Sequence, residues 1–355
     1  MSVLLDDYRL LGRSGLRVSP LSLGTMTFGV GGAWGSSEED AKKMVELYVG
    51  KGGNFIDTAN FYSNGESERV LAKLISGRRD SLVISTKYSL TMRPGDPNAS
   101  GNHRKNMVRS VEDSLRRLET DYIDLLYLHM WDYRTPVEEI LRAFDDLARA
   151  GKIVHAGLSD TPAWQASRMQ AIAELRGWIP LVALQIPYNL TERTVERELM
   201  PMAFEMGMGV LPWSPLAGGV LSGKYSRSDL GAKPPSDFGK SGSRKDINIA
   251  TGRLSERNLQ IAAIVSVLAA EIGVTAAQVA LAWTMLNPAV VSPLIGARTL
   301  TQLEDNLAAL DVSFSDEQIA RLDNASKIEL GFPHDLLKDG PASMMFGRVK
   351  VASRT

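Results

Sequence analysis

Short apolar runs rich in β-branched residues alternate along this chain with longer segments of helical period. Eight runs read as strands: Leu21–Leu23, Phe55–Asp57, Leu82–Thr86, Ile123–His129, Val154–Leu158, Val182–Ile186, Gly209–Trp213 and Val290–Ile295. Most are continuously apolar rather than alternating, the pattern of parallel strands covered on both faces. Between them, Met107, Val108, Val111, Leu115 and Leu118 recur at helical spacing, as do Val137, Ile140, Leu141, Phe144 and Leu147. The second helix carries a start signal: Thr135 as cap, Pro136 at the first helical position and Glu138 completing a capping box, with Gly151 suited to its end. Alternating strands and helices of this number predict an α/β fold, a (β/α)8 TIM barrel, as a single domain over residues 1–355. A doubly wound open sheet is the alternative, but its dinucleotide fingerprint is broken. Gly29 and Gly31 begin it, and Trp34 stands where the third glycine belongs.

Three segments fall outside the repeat. Tyr8–Gly12 and Gly15–Val18 predict an N-terminal β-hairpin that caps one end of the barrel. Ser226 to Gly252 is rich in Ser, Gly, Lys and Pro, lacks a period and follows the seventh strand, so it predicts a long lid loop at the mouth. The tail, residues 328–355, contains Gly331-Phe332-Pro333 and Gly340-Pro341 and reads as irregular.

Composition narrows the function classes. The chain has 355 residues, 44% of them hydrophobic, and a formal net charge of -1, so nothing electrostatic points to nucleic acid or to an anionic membrane. With no cysteine, disulfides, thiolate chemistry and sulfur-held zinc are excluded. The first ten residues include Asp6-Asp7 and no long apolar run, unlike a signal peptide, and no stretch approaches the roughly 20 apolar residues of a membrane span. These features fit the cytoplasm. The four histidines, His103, His129, His155 and His334, lack the spacing of a zinc-binding helix, so no metal is expected. Oligomeric state is not encoded in any motif.

Barrel enzymes carry their chemistry where strands end at the C-terminal face. The second strand ends in Asp57-Thr58-Ala59 with Tyr62 close behind, the third in Thr86-Lys87-Tyr88 and the fourth in Leu128-His129. A carboxylate, a phenol, an ammonium and an imidazole around one opening suit proton delivery to a carbonyl oxygen. A free phenol, with a pKa near ~10, is a reluctant acid. A neighbouring ammonium would lower that value, by ~2 units at a differential stabilisation of roughly 3 kcal/mol. Buried, the ammonium needs a carboxylate beside it. Lys87 and Asp57 fit those roles, and His129 would orient the carbonyl or pass a proton. Taken singly, each residue also has a structural reading: an ion pair under the rim for Asp57 and Lys87, a core histidine for His129, core aromatics for Trp131 and Trp213. Thr299 to Leu310 predicts a helix with Leu300, Leu303, Leu307 and Leu310 inward. Arg298 before it makes an anion site, and Gln302 and Asn306 lie one turn apart on one face; Gln302 also fits a capping box with Thr299.

These residues resemble the aldo-keto reductases, in particular the branch that includes aryl-alcohol dehydrogenases and potassium-channel β-subunits. The resemblance runs from about Tyr8 to Leu310. Besides the four residues above it includes Leu23-Gly24-Thr25-Met26, Gly157-Leu158-Ser159, Gln185 with Tyr188-Asn189, Ser214-Pro215-Leu216 and Gly296-Ala297-Arg298 through Gln302 and Asn306. It implies hydride transfer between NADP(H), preferred over NAD(H), and an aldehyde, ketone or alcohol, with Tyr62 as general acid. It also implies that Ser159 and Gln185 hold the nicotinamide carboxamide and that Trp213 stacks on the ring. Ser214, Leu216, Gly218 and Lys224 would line the pyrophosphate, Arg298 the 2′-phosphate, and Gln302 and Asn306 the adenosine, with Thr25, Met26, Asp57 and Gly296 completing the cofactor site. The substrate pocket would draw on Phe28, Trp34, Tyr62, Tyr88, His129 and Trp131. Two positions depart from the pattern: Asp160 stands where the family usually has Asn, and Trp213 where it often has Tyr. Two other functions compete. One is a non-catalytic nicotinamide-binding regulatory subunit; the other is a barrel lyase or isomerase using Lys87 as a Schiff base.

Overall fold

Parallel strands buried on both faces need helices outside them and side chains inside, and that is the architecture the chain adopts. The structure, a computed structural model, describes residues 3–29, 35–231, 243–339, 342–347 and 349–350. Gly31, Trp34 and residues 232–242 of the expected lid lie outside the described residues.

Arg9–Leu10 (β1) and Arg17–Val18 (β2) pair antiparallel as the expected hairpin. The barrel strands follow: Ser22–Gly24 (β3), Phe55–Asp57 (β4), Val83–Tyr88 (β5), Ile123–Leu128 (β6), Ile153–Ser159 (β7), Leu181–Pro187 (β8), Gly209–Trp213 (β9) and Leu294–Gly296 (β10). They form one 8-stranded sheet in the order β10-β3-β4-β5-β6-β7-β8-β9, every pair parallel. A parallel bridge between Val210 and Val290 brings β9 to the segment before β10 and nearly closes the ring. The eight strands are thus those expected from the apolar runs, within a few residues at each end, as a (β/α)8 barrel.

The outer layer is helical. It comprises Glu38–Gly50 (α1), Glu66–Ile75 (α2), Arg104–Leu118 (α3), Val137–Arg149 (α4), Ala163–Arg176 (α5) and Leu199–Glu205 (α6). Arg244–Ala250 (α7), Glu256–Ile272 (α8), Ala276–Thr284 (α9), Leu300–Leu307 (α10) and Asp316–Ser326 (α11) continue it, and His334–Asp339 (α12) and Ala342–Phe346 (α13) lie in the tail. Three local expectations need correction. The start of α4 has no side-chain cap: Pro136 is the capping residue, and the Thr135 hydroxyl donates instead to Asp132. The segment after β9 is not wholly irregular, because Ser243 and Asp246 form a capping box that starts α7. The tail likewise contains two short helices. Among the described residues no single helix is long and apolar enough to cross a membrane.

Strand parity divides the core. Outward residues such as Ile84, Leu126, Leu158 and Leu184 pack against helices. Phe55, Val83, Leu125, Tyr127, Ala183 and Leu211 fill the barrel, where Leu11 and Val18 of the hairpin plug its lower end. The plug sits tightly. Gly12 has φ +54, and a Cβ there would lie 2.3 Å from the Val182 carbonyl oxygen. Because side chains alternate along a strand, two residues above each filler the next inward side chain faces the C-terminal mouth.

Candidate active site

Alternation explains which side chains meet. Asp57 follows Phe55 by two, Lys87 follows Val83 by four, His129 follows Tyr127 by two, Gln185 follows Ala183 by two and Trp213 follows Leu211 by two. Five strands thereby bring Asp57, Lys87, His129, Gln185 and Trp213 to one opening. Tyr62 arrives from the loop after β4. Its turn is held in an unusual conformation: Ser63, Asn64 and Gly65 have φ of 49, 54 and 88. Consecutive left-handed residues that are not all glycine need support from outside the turn. A Cβ on Gly65 would meet the Arg117 side chain at 2.8 Å. Arg117 is itself fixed, because its Nε donates to buried Glu68 at 2.6 Å, and Glu68 also accepts from Thr86 Oγ1 at 2.6 Å.

Lys87 is the centre of the site. Its side chain is fully buried, and its Nζ donates to Asp57 Oδ2 at 2.5 Å, to the Thr58 carbonyl at 2.8 Å and to Tyr62 Oη at 3.2 Å. An ammonium has three N–H donors, so all are engaged. Burial opposes its charge, but Asp57 and Tyr62 outweigh that and hold the Lys87 pKa above its ordinary value. A lysine kept charged has no lone pair for attack, which counts against the Schiff-base alternative. Asp57 accepts further bonds from Ser85 Oγ at 2.7 Å and Gln185 Nε2 at 2.9 Å. A buried carboxylate with this many donors is well compensated.

The phenol behaves differently from the sequence expectation. Burial raises the Tyr62 pKa, and Asp57 and Asp160 add to the rise; together they outweigh the opposing charge and hydrogen bond of Lys87. Tyr62 is therefore held as the neutral phenol. Its oxygen accepts from Lys87, so the hydroxyl proton points elsewhere. His129 lies edge-on to Tyr62, with ring centroids 6.0 Å apart. Burial and then Lys87 lower the His129 pKa to about 3, so the imidazole is neutral across the working range and orients rather than supplying protons. Its Nδ1 is buried without a partner among the described residues.

A second cluster lies along the loop after β9 and the start of α10. The turn Ala217–Ser222 carries Gly218 and Gly219 at φ 67 and 88. A Cβ on Gly219 would meet Lys224 Nζ at 2.7 Å, and one on Gly218 would meet Asn248 Oδ1 at 2.2 Å. Lys224 thus sits over a glycine turn whose bareness leaves room for its ammonium. Burial, then Arg298 and Arg244, lower the Lys224 pKa; burial, then Arg253 with a smaller part from Arg298, lower that of Arg244. Four cations gathered in reach of one another form a donor set for a multiply charged anion. Asn248 Oδ1 is buried there without a partner among the described residues. Arg244, Asn248 and Arg253 escaped the sequence reading, since the first two lie within, and the third just after, a segment with no period. The serine and aspartate of the α7 capping box were the signal available.

Several expected residues are placed otherwise. Tyr88 has outward parity, packs edge-on against Phe144 and donates to the Asn102 carbonyl at 3.0 Å, so it does not line the mouth. Phe28 is fully buried in the layer between sheet and helices, among residues such as Leu23, Met44 and Leu71. The Thr25 hydroxyl is committed to the Asp57 carbonyl and Ser67. Asn306 donates to the Gly296 carbonyl at 3.3 Å, and Gln302 accepts from Arg298 N–H at 2.9 Å while its own N–H is capped by Thr299. These bonds do not involve Gln302 Nε2 or Asn306 Oδ1. Gln185 has its amide nitrogen on Asp57, leaving its carbonyl oxygen. Trp131 is mostly buried, its Nε1 without a partner among the described residues. Ser159 ends β7 with inward parity, and Met26 is exposed in the loop after β3. Ser214 and Leu216 bracket the start of the glycine turn: Ala217 N–H bonds the Ser214 carbonyl at 2.8 Å and Gly219 N–H the Leu216 carbonyl at 2.8 Å.

Comparison with known proteins gives a consistent picture. The model of the aldo/keto reductase family matches residues 20–327. Norsolorinic acid reductase of Aspergillus flavus is 37% identical over 349 residues, which cover 95% of this chain and 86% of that protein. An aryl-alcohol dehydrogenase [NADP(+)] of Phanerodontia chrysosporium is 35% identical over 343 residues, covering 92% and 87%. The oxidoreductase YrpG of Bacillus subtilis is 38% identical over 330 residues, covering 90% and 95%.

Proposed function

The chain belongs to the aldo/keto reductase family, and we propose that it is a cytoplasmic NADP(H)-dependent enzyme that reduces an aldehyde or ketone to its alcohol, or runs the reverse reaction, with Tyr62 as general acid. The observation that carries this reading is the hydrogen-bond arrangement at Lys87. The ammonium donates to Tyr62 Oη, so the phenolic proton is left for a carbonyl oxygen at the mouth. When bound, the nicotinamide supplies the hydride. The chain supplies the rest. Lys87 stabilises the negative charge that develops on Tyr62 as its proton leaves, and Asp57 keeps Lys87 charged. Neutral His129 orients the carbonyl.

The donor sets fit the cofactor. Trp213 offers a stacking face at the end of β9, and Ser159 and Gln185, at the end of β7 and near the end of β8, have the same inward parity. The glycine turn with Lys224, Arg244 and Arg298 suits phosphates, and the buried Asn248 Oδ1, without a partner among the described residues, lies against that turn. Arg298 stands just ahead of the α10 N-terminus, where a phosphate is favoured. Replacing Arg298 with Ala should raise the Kd for NADPH by roughly tenfold or more, the size of a lost charged hydrogen bond, and leave NADH binding little changed. Fluorescence titration with both cofactors checks this; equal weakening would remove Arg298 from 2′-phosphate recognition.

The substrate we assign is an aromatic carbonyl. Phe61, Met130, Tyr133 and Trp164 are exposed on loops or at a helix start that leave the mouth face, and large apolar groups there favour a flat apolar ligand. One relative carries a name of the same kind, an aryl-alcohol dehydrogenase.

A further inference from the structure

The two departures from the family pattern touch one another. Trp213 Nε1 donates to Asp160 Oδ1 at 3.0 Å. Asp160 follows β7 and Trp213 ends β9, so the bond spans the mouth over β8. Asp160 has φ +39, a left-handed conformation that Asp and Asn tolerate best among residues with a Cβ. Its backbone is laced in place: its N–H bonds the Gln185 carbonyl at 3.4 Å, and its carbonyl accepts from Trp131 N–H at 3.4 Å. The side chain is therefore aimed by its surroundings, and the indole in turn is held at its edge. Arg253 meets the same ring at 5.7 Å from its centroid.

The carboxylate also belongs to the electrostatics of the tetrad formed by Asp57, Tyr62, Lys87 and His129. Burial raises the Asp160 pKa above its ordinary value, while the Trp213 N–H, the Lys87 charge and its own backbone N–H favour the carboxylate; Tyr62 in turn feels the charge of Asp160. Tyr62 and His129 are neutral. Lys87 contributes one positive charge and Asp57 and an ionised Asp160 one negative charge each, so these side chains together carry one excess negative charge, with Arg253 outside the sum at the Trp213 ring. An asparagine at position 160 would bring that sum to zero. Among the described residues Asp160 makes no ion pair: its compensation is the Trp213 N–H, its own backbone N–H and the more distant charge of Lys87, and a partly buried carboxylate without a direct counter-charge favours a cation beside it.

We propose that Asp160 is a specificity-determining residue for the oxidation state of the cofactor, its carboxylate favouring the positively charged nicotinamide ring over the neutral dihydronicotinamide. This rests on the reading that NADP(H) binds with its nicotinamide against Trp213. In carbonyl reduction the hydride, with its two electrons, passes to the carbonyl carbon, and the Tyr62 proton passes to the oxygen. The ring is left with one positive charge and Tyr62 with one negative charge. Asp160 stabilises the first of these charges, so bound NADPH is biased toward giving up its hydride.

The test is calorimetric titration of wild type and Asp160→Asn with NADP+ and with NADPH separately. Asparagine keeps an acceptor for Trp213 and tolerates the left-handed backbone, so it removes the charge with little else. The Kd for NADP+ should rise by roughly tenfold relative to that for NADPH. Trp213→Phe serves as the second variant: it removes the indole donor but keeps the charge, and should weaken both forms by similar factors. An unchanged ratio of the two constants in Asp160→Asn overturns the inference while leaving the enzyme's function intact. If wild type binds neither form, the cofactor reading falls and the inference with it.

Discussion

Tyr62→Phe should lower kcat for carbonyl reduction by about 10³-fold, within the range a positioned general acid supplies, while the Kd for NADPH stays within about threefold of wild type on the same argument that the phenol acts only in the transition state. The ring remains, so its packing beside His129 persists; only the proton and its oxygen are lost. The pH dependence follows from the direction of the Tyr62 shift. Reduction needs the protonated phenol, and burial holds its pKa above the ordinary value. The rate should be flat through neutrality and fall only above the ordinary phenol range. Oxidation of an alcohol needs the phenolate and should rise with pH over the same interval. The imidazole of His129, with its pKa lowered to about 3, should add no acid limb between pH 5 and 8. A Tyr62→Phe variant that keeps wild-type turnover would remove the acid assignment.

Lys87→Met should be the most damaging change to the molecule as a whole. It strips the cation from a fully buried pair whose oxygen and nitrogen are 2.5 Å apart. Asp57 would keep Ser85 and Gln185 as donors but lose its only opposite charge among the described residues. Breaking a buried pair in this way costs about 3–5 kcal/mol, which urea denaturation would read directly. Turnover should vanish as well, because among the described residues Lys87 is the cation that hydrogen-bonds Tyr62 Oη and stabilises the developing phenolate. The double variant Asp57→Asn with Lys87→Met separates the two effects. Removing both charges should recover much of the stability and none of the turnover. A Lys87→Met protein as stable as wild type would show that the pair is not compensated in the way described.

The barrel was readable because parallel strands buried on both faces leave continuous apolar runs, and all eight emerged from them. The residues of the tetrad were readable because strand ends in such a barrel converge on one face. What failed had physical causes. Tyr88 and Phe28 were assigned to the mouth by closeness to a strand end; parity turns Tyr88 outward toward Phe144, and Phe28 lies in the layer under the helices. Thr25, Gln302 and Asn306 were expected to face a ligand; in the folded chain each also has an atom bonded to nearby backbone. A polar side chain beside a strand end or a helix start has such partners at hand, and sequence spacing does not say which it takes. Arg244, Asn248 and Arg253 come to the phosphate end from within or just after a segment without period, so only the folded chain places them near Lys224. The Tyr62 pKa was misjudged for a related reason. The neighbouring ammonium is visible in the sequence order of strand ends, but the depth of burial that opposes it is not.

The central claim is tested most directly by incubating the purified protein with NADPH, and separately with NADH, across a panel of aromatic and aliphatic aldehydes and ketones, following cofactor oxidation and alcohol formation together. The account predicts that aromatic carbonyls are converted with one NADPH consumed per alcohol formed, and more slowly with NADH. A borohydride-trapped substrate adduct on Lys87, or no carbonyl consumed with either cofactor, would contradict it.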